Sequence, residues 1–504
     1  MNFAQTLRRS ARRFPGKPAI VHGDRRIGYA ELDVRSDGLA ERLRALGVGR
    51  GDRVALLMGN RPEFLETYYA VIKTGGWIVP LNYRLTVEDL LYQIDHSGAS
   101  VLITEDAYHP IAAAAADRLR AVITTARDVP AGWLRYEELA RCGESGPDAD
   151  VGMDDVQRLM YTSGTTARPK GVMLTHGQVH WGLLTRAADF GFGPDDVTLT
   201  VGPLYHVAAL DSYSTTMLGL GGTVVLHSGF DPVTVLRALR DERVTNGWLA
   251  PSMLNMVFKA EDIADYDCDA LRVLLVGGEK TPRPLLERLR KEWPQVGLVD
   301  GYGLTECQGI AAFLESALID EKLGSVGRAA SLREIKILDE DDADAPPGTA
   351  GEILVRGPLV FPGYYQDPEA TQAAFHDGWL RTGDVGMLDE DGCLTIVDRK
   401  KDMIRSGGEN IASSEIEAVL YQHESVSEVA VVAVGDPKWG EAPAAFVVTR
   451  DGHEFDANEL RRHCGSMLAS FKVPKHIHRV DQFPRTPSGK IMKRTLRAGS
   501  ELDS

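Results

Sequence analysis

Short apolar runs alternate with longer amphipathic stretches from residue 19 to residue 299, and no other feature narrows the fold as much. Residues 19–21 and 27 read as a short hairpin pair. Tyr29 then opens a helix to about Leu46, with Gly47 as its C-terminal stop. Residues 54–57 read as a buried strand, a helix starts at Arg61-Pro62 and runs to Lys73, and 75–80 form a turn and strand. The runs 101–104, 121–123, 197–201, 222–226, 244–249, 273–276 and 296–299 continue the series, with helical segments between them. Strands alternating with helices make layered α/β sheets, where ligands gather at the C-terminal ends of strands. From about Leu323 to Asp398 the texture changes to short β-like runs (334–338, 351–355, 393–397) broken by turns such as Pro346-Pro347-Gly348, so a β-rich subdomain is expected. Past the polar junction 398–402 lies a compact α+β segment: helix 414–423, strands 428–434 and 444–448, helix 457–467 and strand 476–480. These readings give an α/β protein with a large N-terminal domain, 1–400, and a small C-terminal one, 401–504.

Composition excludes several classes. A formal net charge of −16 argues against general nucleic-acid binding. Cys142, Cys268, Cys307, Cys393 and Cys464 are scattered with no C-x-x-C pair, so they read as reduced thiols of a cytoplasmic protein, neither a disulfide framework nor a zinc site. No apolar run approaches membrane-spanning length. Residues 1–17 are rich in arginine and free of acids, like a transit peptide, but a surface helix with Phe3, Leu7 and Ala11 inward is the preferred reading. Peripheral membrane contact through Arg8, Arg9, Arg12 and Arg13 and a homodimer both stay open.

The stretch 161–171, Tyr-Thr-Ser-Gly-Thr-Thr-Ala-Arg-Pro-Lys-Gly, carries the chemistry. Gly164 permits a tight turn. Backbone N–H groups and the hydroxyls of Thr162, Ser163, Thr165 and Thr166 then converge on phosphate oxygens, and Lys170 adds a point charge. Apolar residues on both sides place this loop between two strands. It is not a Walker loop, because Pro169 precedes the lysine and Gly171 follows it.

This stretch resembles the phosphate loop of the adenylate-forming enzymes: acyl- and aryl-CoA synthetases, peptide-synthetase adenylation domains and luciferases. It departs from their usual order only at Ala167, where glycine is typical. If that position needs positive φ, alanine costs about 1 kcal/mol, but no phosphate ligand is lost. Asp300-Gly301-Tyr302-Gly303-Leu304-Thr305-Glu306 is similar to the family's second motif, and taken alone would read as a Gly-rich turn before a capped helix. The resemblance gives Tyr302 the adenine face, Asp300 the exocyclic amine, Thr305 the α-phosphate and Glu306 a magnesium ion. In Thr382-Gly383-Asp384, Asp384 suits both ribose hydroxyls, and Arg399 donates to the same sugar. Lys401 takes the family's hinge position, and Gly408 the place where the phosphopantetheine arm passes, which needs a missing side chain. Lys490, in Pro484-Arg485-Thr486-Pro487-Ser488-Gly489-Lys490, matches the family's terminal lysine, which bridges carboxylate, ribose and α-phosphate; without that match it is a solvated charge.

For the acid itself, Pro203-Leu204-Tyr205-His206 matches the family's aromatic-then-His motif, so Tyr205 and His206 line or gate the pocket, with a satisfied core histidine as the alternative. Gly277, Gly278 and Gly303 join the lining, and Glu279 falls near adenine. Val207–Leu220 reads as a helix. Asp211 then either faces the substrate and grips an amine or hydroxyl, or is an acid favoured in a first helical turn. The resemblance implies ATP, Mg²⁺ and coenzyme A as reactants, with no general base, because the attacking carboxylate is already ionised. The activity implied is AMP-forming ligation of a fatty, aromatic, hydroxy or amino acid to CoA. Transfer to a carrier-protein pantetheine and a nucleotide-sensing pseudo-enzyme are the alternatives.

Overall fold

The computed structural model describes residues 1–141, 146–162, 168–260, 263, 266–278, 281, 283–406, 409–485 and 491–500. Internal contacts divide the chain into two compact units, 1–335 with 355–380, and 336–354 with 381–504.

The first unit holds two large sheets. One runs, edge to edge, through Arg328–Ala329, Gly309–Leu314, Gly297–Leu304, Val273–Gly277, Asn246–Leu249, Val197–Thr200, Thr223–Leu226, Pro18–His22 and Arg25–Gly28. Its central pairs are parallel and its outer pairs antiparallel. The other runs through Leu134–Arg135, Ala121–Thr124, Val101–Thr104, Arg53–Leu57, Trp77–Pro80, Val156–Thr162 and Lys170–Thr175, parallel except for the last pair. Apolar side chains of both sheets share one core with the helices packed on them: Val54 and Leu56 from one sheet, Ile20 and Val224 from the other, Leu32, Leu39 and Tyr69 from helices. Helix Pro62–Lys73 is buried on every face, as expected of a helix in the middle of a layered core. Its terminal Lys73 is tolerable there because its ammonium meets Asp33 Oδ1 at 2.6 Å and Asp37 Oδ1 at 2.7 Å.

The N-terminal helix Ala4–Arg13 turns Phe3, Leu7 and Ala11 inward as expected. Arg8 does not face a membrane. Its guanidinium is largely buried between Asp37 (2.7 Å) and Asp148 (2.6 Å), and Arg9 donates to the Gly219 carbonyl at 2.9 Å. No helix among the described residues is long and apolar enough to cross a membrane. Cys268, Cys307, Cys393 and Cys464 are buried free thiols; Cys142 lies outside the described residues.

Two local readings need correction. Asp300–Leu304 is not a turn: strand Gly297–Leu304 runs straight through it and pairs antiparallel with Gly309–Leu314, a strand the sequence did not announce. Glycine permits the pairing, since a Cβ on Gly303 would sit 1.8 Å from the Gly309 carbonyl oxygen. The expected helix after Val207 begins as eight residues of π-helix, Ala208–Thr215, before an α-turn Thr216–Leu220. Hydroxyls support the wide turns: Ser214 Oγ donates to the Ala209 carbonyl at 2.8 Å and Thr216 Oγ1 to that of Asp211 at 2.7 Å, each five residues back.

The β-rich stretch forms its own sheet. Glu334–Leu338, Gly351–Arg356, Trp379–Leu388 and Phe375–His376 are its strands in order, with Leu394–Arg399 against Trp379–Leu388. The C-terminal sheet follows the order Glu409–Ile411, Ile404–Ser406, Gly440–Thr449, Val426–Asp436, with His476–Arg479 parallel to Gly440–Thr449. Helices Ser413–Leu420 and Ala457–Met467 cover it through Ile416, Leu420, Leu460 and Cys464. The fold is α/β, a large N-terminal part followed by a smaller α+β one.

Candidate active site

The hydroxyl-rich loop is held at both ends by the edge of the second sheet. Strands Val156–Thr162 and Lys170–Thr175 are antiparallel, with Thr162 opposite Lys170. Ser163, Gly164, Thr165 and Thr166 lie outside the described residues, as do Glu279, Gly408 and Lys490.

The segment 361–365 ties this loop to the second motif. Tyr365 N–H donates to the Gly171 carbonyl at 2.8 Å, Met173 N–H to that of Gly363 at 3.3 Å, and Phe361 N–H to that of Glu306 at 2.7 Å. Between these backbone links Tyr364 presents both surfaces: its hydroxyl donates to Glu306 Oε1 at 3.0 Å, and its ring centroid lies 4.9 Å from Lys170 Nζ. Burial and the Glu306 charge hold the phenol well above its ordinary pKa, so it stays a donor at any working pH. The cation of the first motif and the carboxylate of the second are thus positioned through one aromatic residue. Sequence reasoning passed over Tyr364. Its signal was the run Phe361-Pro362-Gly363-Tyr364-Tyr365, unusually aromatic for a loop.

Thr305 and Glu306 begin a short 3₁₀ turn, Thr305–Cys307, at the end of strand Gly297–Leu304. On that strand Asp300 is opposite Val276 and Gly301 opposite Gly277. A Cβ on Gly277 would meet the Gly301 carbonyl at 2.5 Å, and Gly278 adopts φ +94°, so both glycines keep the backbone low beside Tyr302. Asp300 is buried and accepts from Thr281 Oγ1 at 2.9 Å; burial raises its carboxyl to about 7. A single carboxylate such as Glu306 fits magnesium, which binds through one or two carboxylates plus substrate phosphates.

Tyr205 and His206 sit in the turn before the π-helix. Asn60 fixes this turn: its side-chain amide donates to the Gly202 carbonyl at 2.8 Å and accepts from Leu204 N–H at 2.9 Å. Tyr205 is buried, edge-on to Tyr83 at 5.2 Å, and among the described residues its hydroxyl has no partner. Asp211 goes elsewhere. It is fully buried and forms a bidentate ion pair with the equally buried Arg158, Nη1 to Oδ1 at 2.9 Å and Nη2 to Oδ2. The expected substrate anchor is therefore committed to a core arginine on the strand that leads into the phosphate loop, while it keeps the first-turn position of the helical segment Ala208–Thr215 that the other reading gave it.

In the second unit, Asp384 and Arg399 face each other across paired strands, Arg399 Nε 3.4 Å from Asp384 Oδ1. Gly383 at φ +72° and the Thr382 hydroxyl, which accepts from Asp384 N–H at 3.1 Å and donates to the Ile353 carbonyl at 2.8 Å, set the carboxylate's direction. Lys401 is exposed in the turn after Arg399; partial desolvation and the nearby Arg399 and Arg497 lower its pKa. Arg497 donates to its carbonyl at 3.1 Å.

These motifs match known proteins over nearly the whole chain. The model of the AMP-binding enzyme family covers residues 7–365, and that of the AMP-binding enzyme C-terminal domain covers 415–490. A feruloyl-CoA synthase from Amycolatopsis sp is 43% identical over 490 residues, 97% of each chain. The o-succinylbenzoate CoA synthetase of Bacillus subtilis, solved with its acyl-adenylate intermediate, superposes with a TM-score of 0.89 at 33% identity, covering 98% of this chain and 97% of that one. The same enzyme solved with ATP and magnesium gives 0.87 at 32% identity over 97% and 98%. With both family models matched and relatives aligned end to end, this chain belongs to the AMP-binding enzyme family as an AMP-forming acid–thiol ligase of the acyl- and aryl-CoA synthetase group.

Proposed function

We propose that the acid activated here is aromatic or arylalkyl, and that the named residues divide the work as follows. Likeness to a feruloyl-CoA synthase and an o-succinylbenzoate CoA synthetase supports the substrate class. The observation that carries the reading is the Lys170–Tyr364–Glu306 arrangement beside the clamped ends of the hydroxyl-rich loop.

The loop residues Thr162, Ser163, Gly164, Thr165 and Thr166 with Lys170 hold the β- and γ-phosphates. Tyr302 stacks on adenine, Asp300 accepts from its amine, and Asp384 with Arg399 holds the ribose. An oxygen of the substrate carboxylate attacks the α-phosphorus in line; the bond to the bridging oxygen breaks and pyrophosphate leaves. Negative charge grows on the equatorial oxygens, where the Thr305 hydroxyl and the Lys490 ammonium stabilise it. Glu306 would hold a magnesium ion, which would supply further neutralisation of the phosphates. His206 and Tyr205 close the acid pocket beside Gly277, Gly278 and Gly303. Before the second step the C-terminal part pivots at Lys401 to withdraw Lys490 and bring Gly408 to the pantetheine arm; the CoA thiol then attacks the acyl carbonyl, its proton passes to solvent, the acyl carbon–oxygen bond breaks and AMP leaves. ATP and CoA as substrates favour a cytoplasmic location.

Acid-dependent ATP–pyrophosphate exchange across aliphatic, aromatic, hydroxy and amino acids tests the substrate class, and thioester formation with free CoA tests the acceptor. Lys490→Ala is expected to cut exchange by about 10²–10³ while largely sparing thioester formation from supplied acyl-adenylate. Equal loss in both half-reactions would refute the pivot. Exchange confined to aliphatic acids would refute the aromatic assignment.

A further inference from the structure

The first helix after Lys401 has no cap of its own. Helix Ser413–Leu420 starts after Ala412, whose methyl group cannot accept from the first-turn N–H groups that a helix leaves open. The acceptor comes from the other side of Lys401. Asp398, on strand Leu394–Arg399, accepts on Oδ2 from the Ser413 hydroxyl at 2.7 Å and the Ser414 N–H at 3.3 Å, and on Oδ1 from the Arg399 N–H at 2.7 Å. The Ser414 hydroxyl donates to the Val397 carbonyl. Asp398 is 8% exposed and Ser413 is fully buried, so these are interior bonds to a carboxylate at the positive end of a helix.

The same serine reaches the terminal segment. Lys493 Nζ donates to Ser413 Oγ and meets Glu417 Oε1, both at 2.7 Å. With Lys493 on its oxygen, the Ser413 hydroxyl keeps its one proton for Asp398. Lys493 opens helix Lys493–Ser500, three residues after Lys490. Leu496 of that helix is buried with Val432, Phe446 and Phe483, and Arg497 donates to the Lys401 carbonyl at 3.1 Å and to Asp402 Oδ1 at 3.0 Å. Asp398, Ser413 and Lys493 thus make one line of bonds from the strand ahead of Lys401 to the helix that follows Lys490.

We infer that Asp398, Ser413 and Ser414 form a latch across the pivot, which positions the Lys490 segment and sets the balance between the two half-reactions. This rests on the pivot at Lys401 proposed above. Three donors on two residues beyond Lys401 reach two acceptors ahead of it, and a swing would spare all three only if they lay on its axis. Asn410 adds a fourth crossing, its side-chain amide donating to Glu340 Oε1 at 3.1 Å. Each swing therefore opens the latch and uncaps the helix, and each return closes it. These are positioning residues, acting through Lys490 and not on the reactants.

The test compares Ser413→Ala with wild type in two assays on the same sample: acid-dependent ATP–pyrophosphate exchange, and thioester formation from supplied acyl-adenylate and CoA. Losing a bond to a buried carboxylate is expected to change the equilibrium between the two arrangements about tenfold. Whichever arrangement dominates, the ratio of the two half-reaction rates then moves by about that factor, against the one that the latched arrangement serves. A merely structural serine would lower both rates together, so an unchanged ratio would overturn the inference. Should Ser413→Ala not fold, the partly exposed Ser414→Ala removes only the bond to Val397; it is expected to move the ratio about threefold, and no movement there would overturn the inference as well. Equal loss from Lys490→Ala in both half-reactions would remove the pivot and the latch with it. A selective Lys490→Ala beside an unmoved Ser413→Ala ratio would remove the latch alone.

Discussion

Removing Asp211 tests whether its role is in the core or in substrate recognition. Asp211→Leu leaves Arg158 with no carboxylate in a site closed to water, where both side chains have zero exposure. Breaking a buried pair from one side costs about 3–5 kcal/mol. The first unit has about 360 residues, so at about 2.1 cal/mol/K per residue its unfolding entropy is about 0.76 kcal/mol/K, and the loss corresponds to a fall of about 4–7 °C in Tm. Arg158→Leu should fall comparably, because it strands the carboxylate. The double variant should recover most of the loss, since two apolar side chains replacing a buried pair are often neutral or stabilising. The assay is differential scanning calorimetry at one fixed scan rate, with pyrophosphate exchange measured on the same samples. Relative kcat/KM across the acid panel should be unchanged in the double variant. A single variant within 1 °C of wild type, or a double variant no more stable than the singles, would show that the pair does not hold this region together. A large change in acid selectivity at restored stability would return Asp211 to the substrate.

Two further outcomes follow from the site. Tyr364→Phe deletes the donor to Glu306 but keeps the ring beside Lys170, so adenylation kcat should fall about fivefold, as for one hydrogen bond of about 1 kcal/mol. Tyr364→Leu should lose about 0.5–1 kcal/mol more through the ring contact, and identical kinetics in the two variants would dismiss that contact. Asp300, with its carboxyl raised to about 7, keeps its proton in the folded protein while the unfolded chain loses it from about pH 4 upward. Its contribution to stability therefore declines as pH rises from about 4 to 7 and is level above that. If its ionised form accepts from adenine, KM for ATP should drop up to about tenfold between pH 6 and 8, and Asp300→Asn should flatten that profile.

The parts legible in the sequence are those where local rules and tertiary packing agree. Helix Pro62–Lys73 and strand Val101–Thr104 fall where hydrophobic pattern and proline place them. The C-terminal segment was similarly open, down to helix Ala457–Met467 with Asp456 capping it. The failures share a cause. Asp300–Leu304 looks like a turn because Gly301 and Gly303 fall within it, yet Gly303 serves close antiparallel pairing with strand Gly309–Leu314. The π-helix depends on hydroxyls that each reach a carbonyl five residues back, a spacing that helical periodicity does not weigh. Asp384 sits mid-strand because its partner strand comes from residues 394–399, a pairing that local sequence does not show. The phosphate loop's two flanking strands were anticipated; the tyrosine bracing its lysine was not, since it arrives from almost two hundred residues downstream.

The Asp211 correction bears on how acid recognition is arranged in this chain. An acid near a carboxylate-binding pocket would repel the substrate, so its presence suggested a grip on a cationic or hydroxyl group. Pairing with Arg158 removes that repulsion, because the carboxylate's charge and both oxygens are taken up before any ligand arrives.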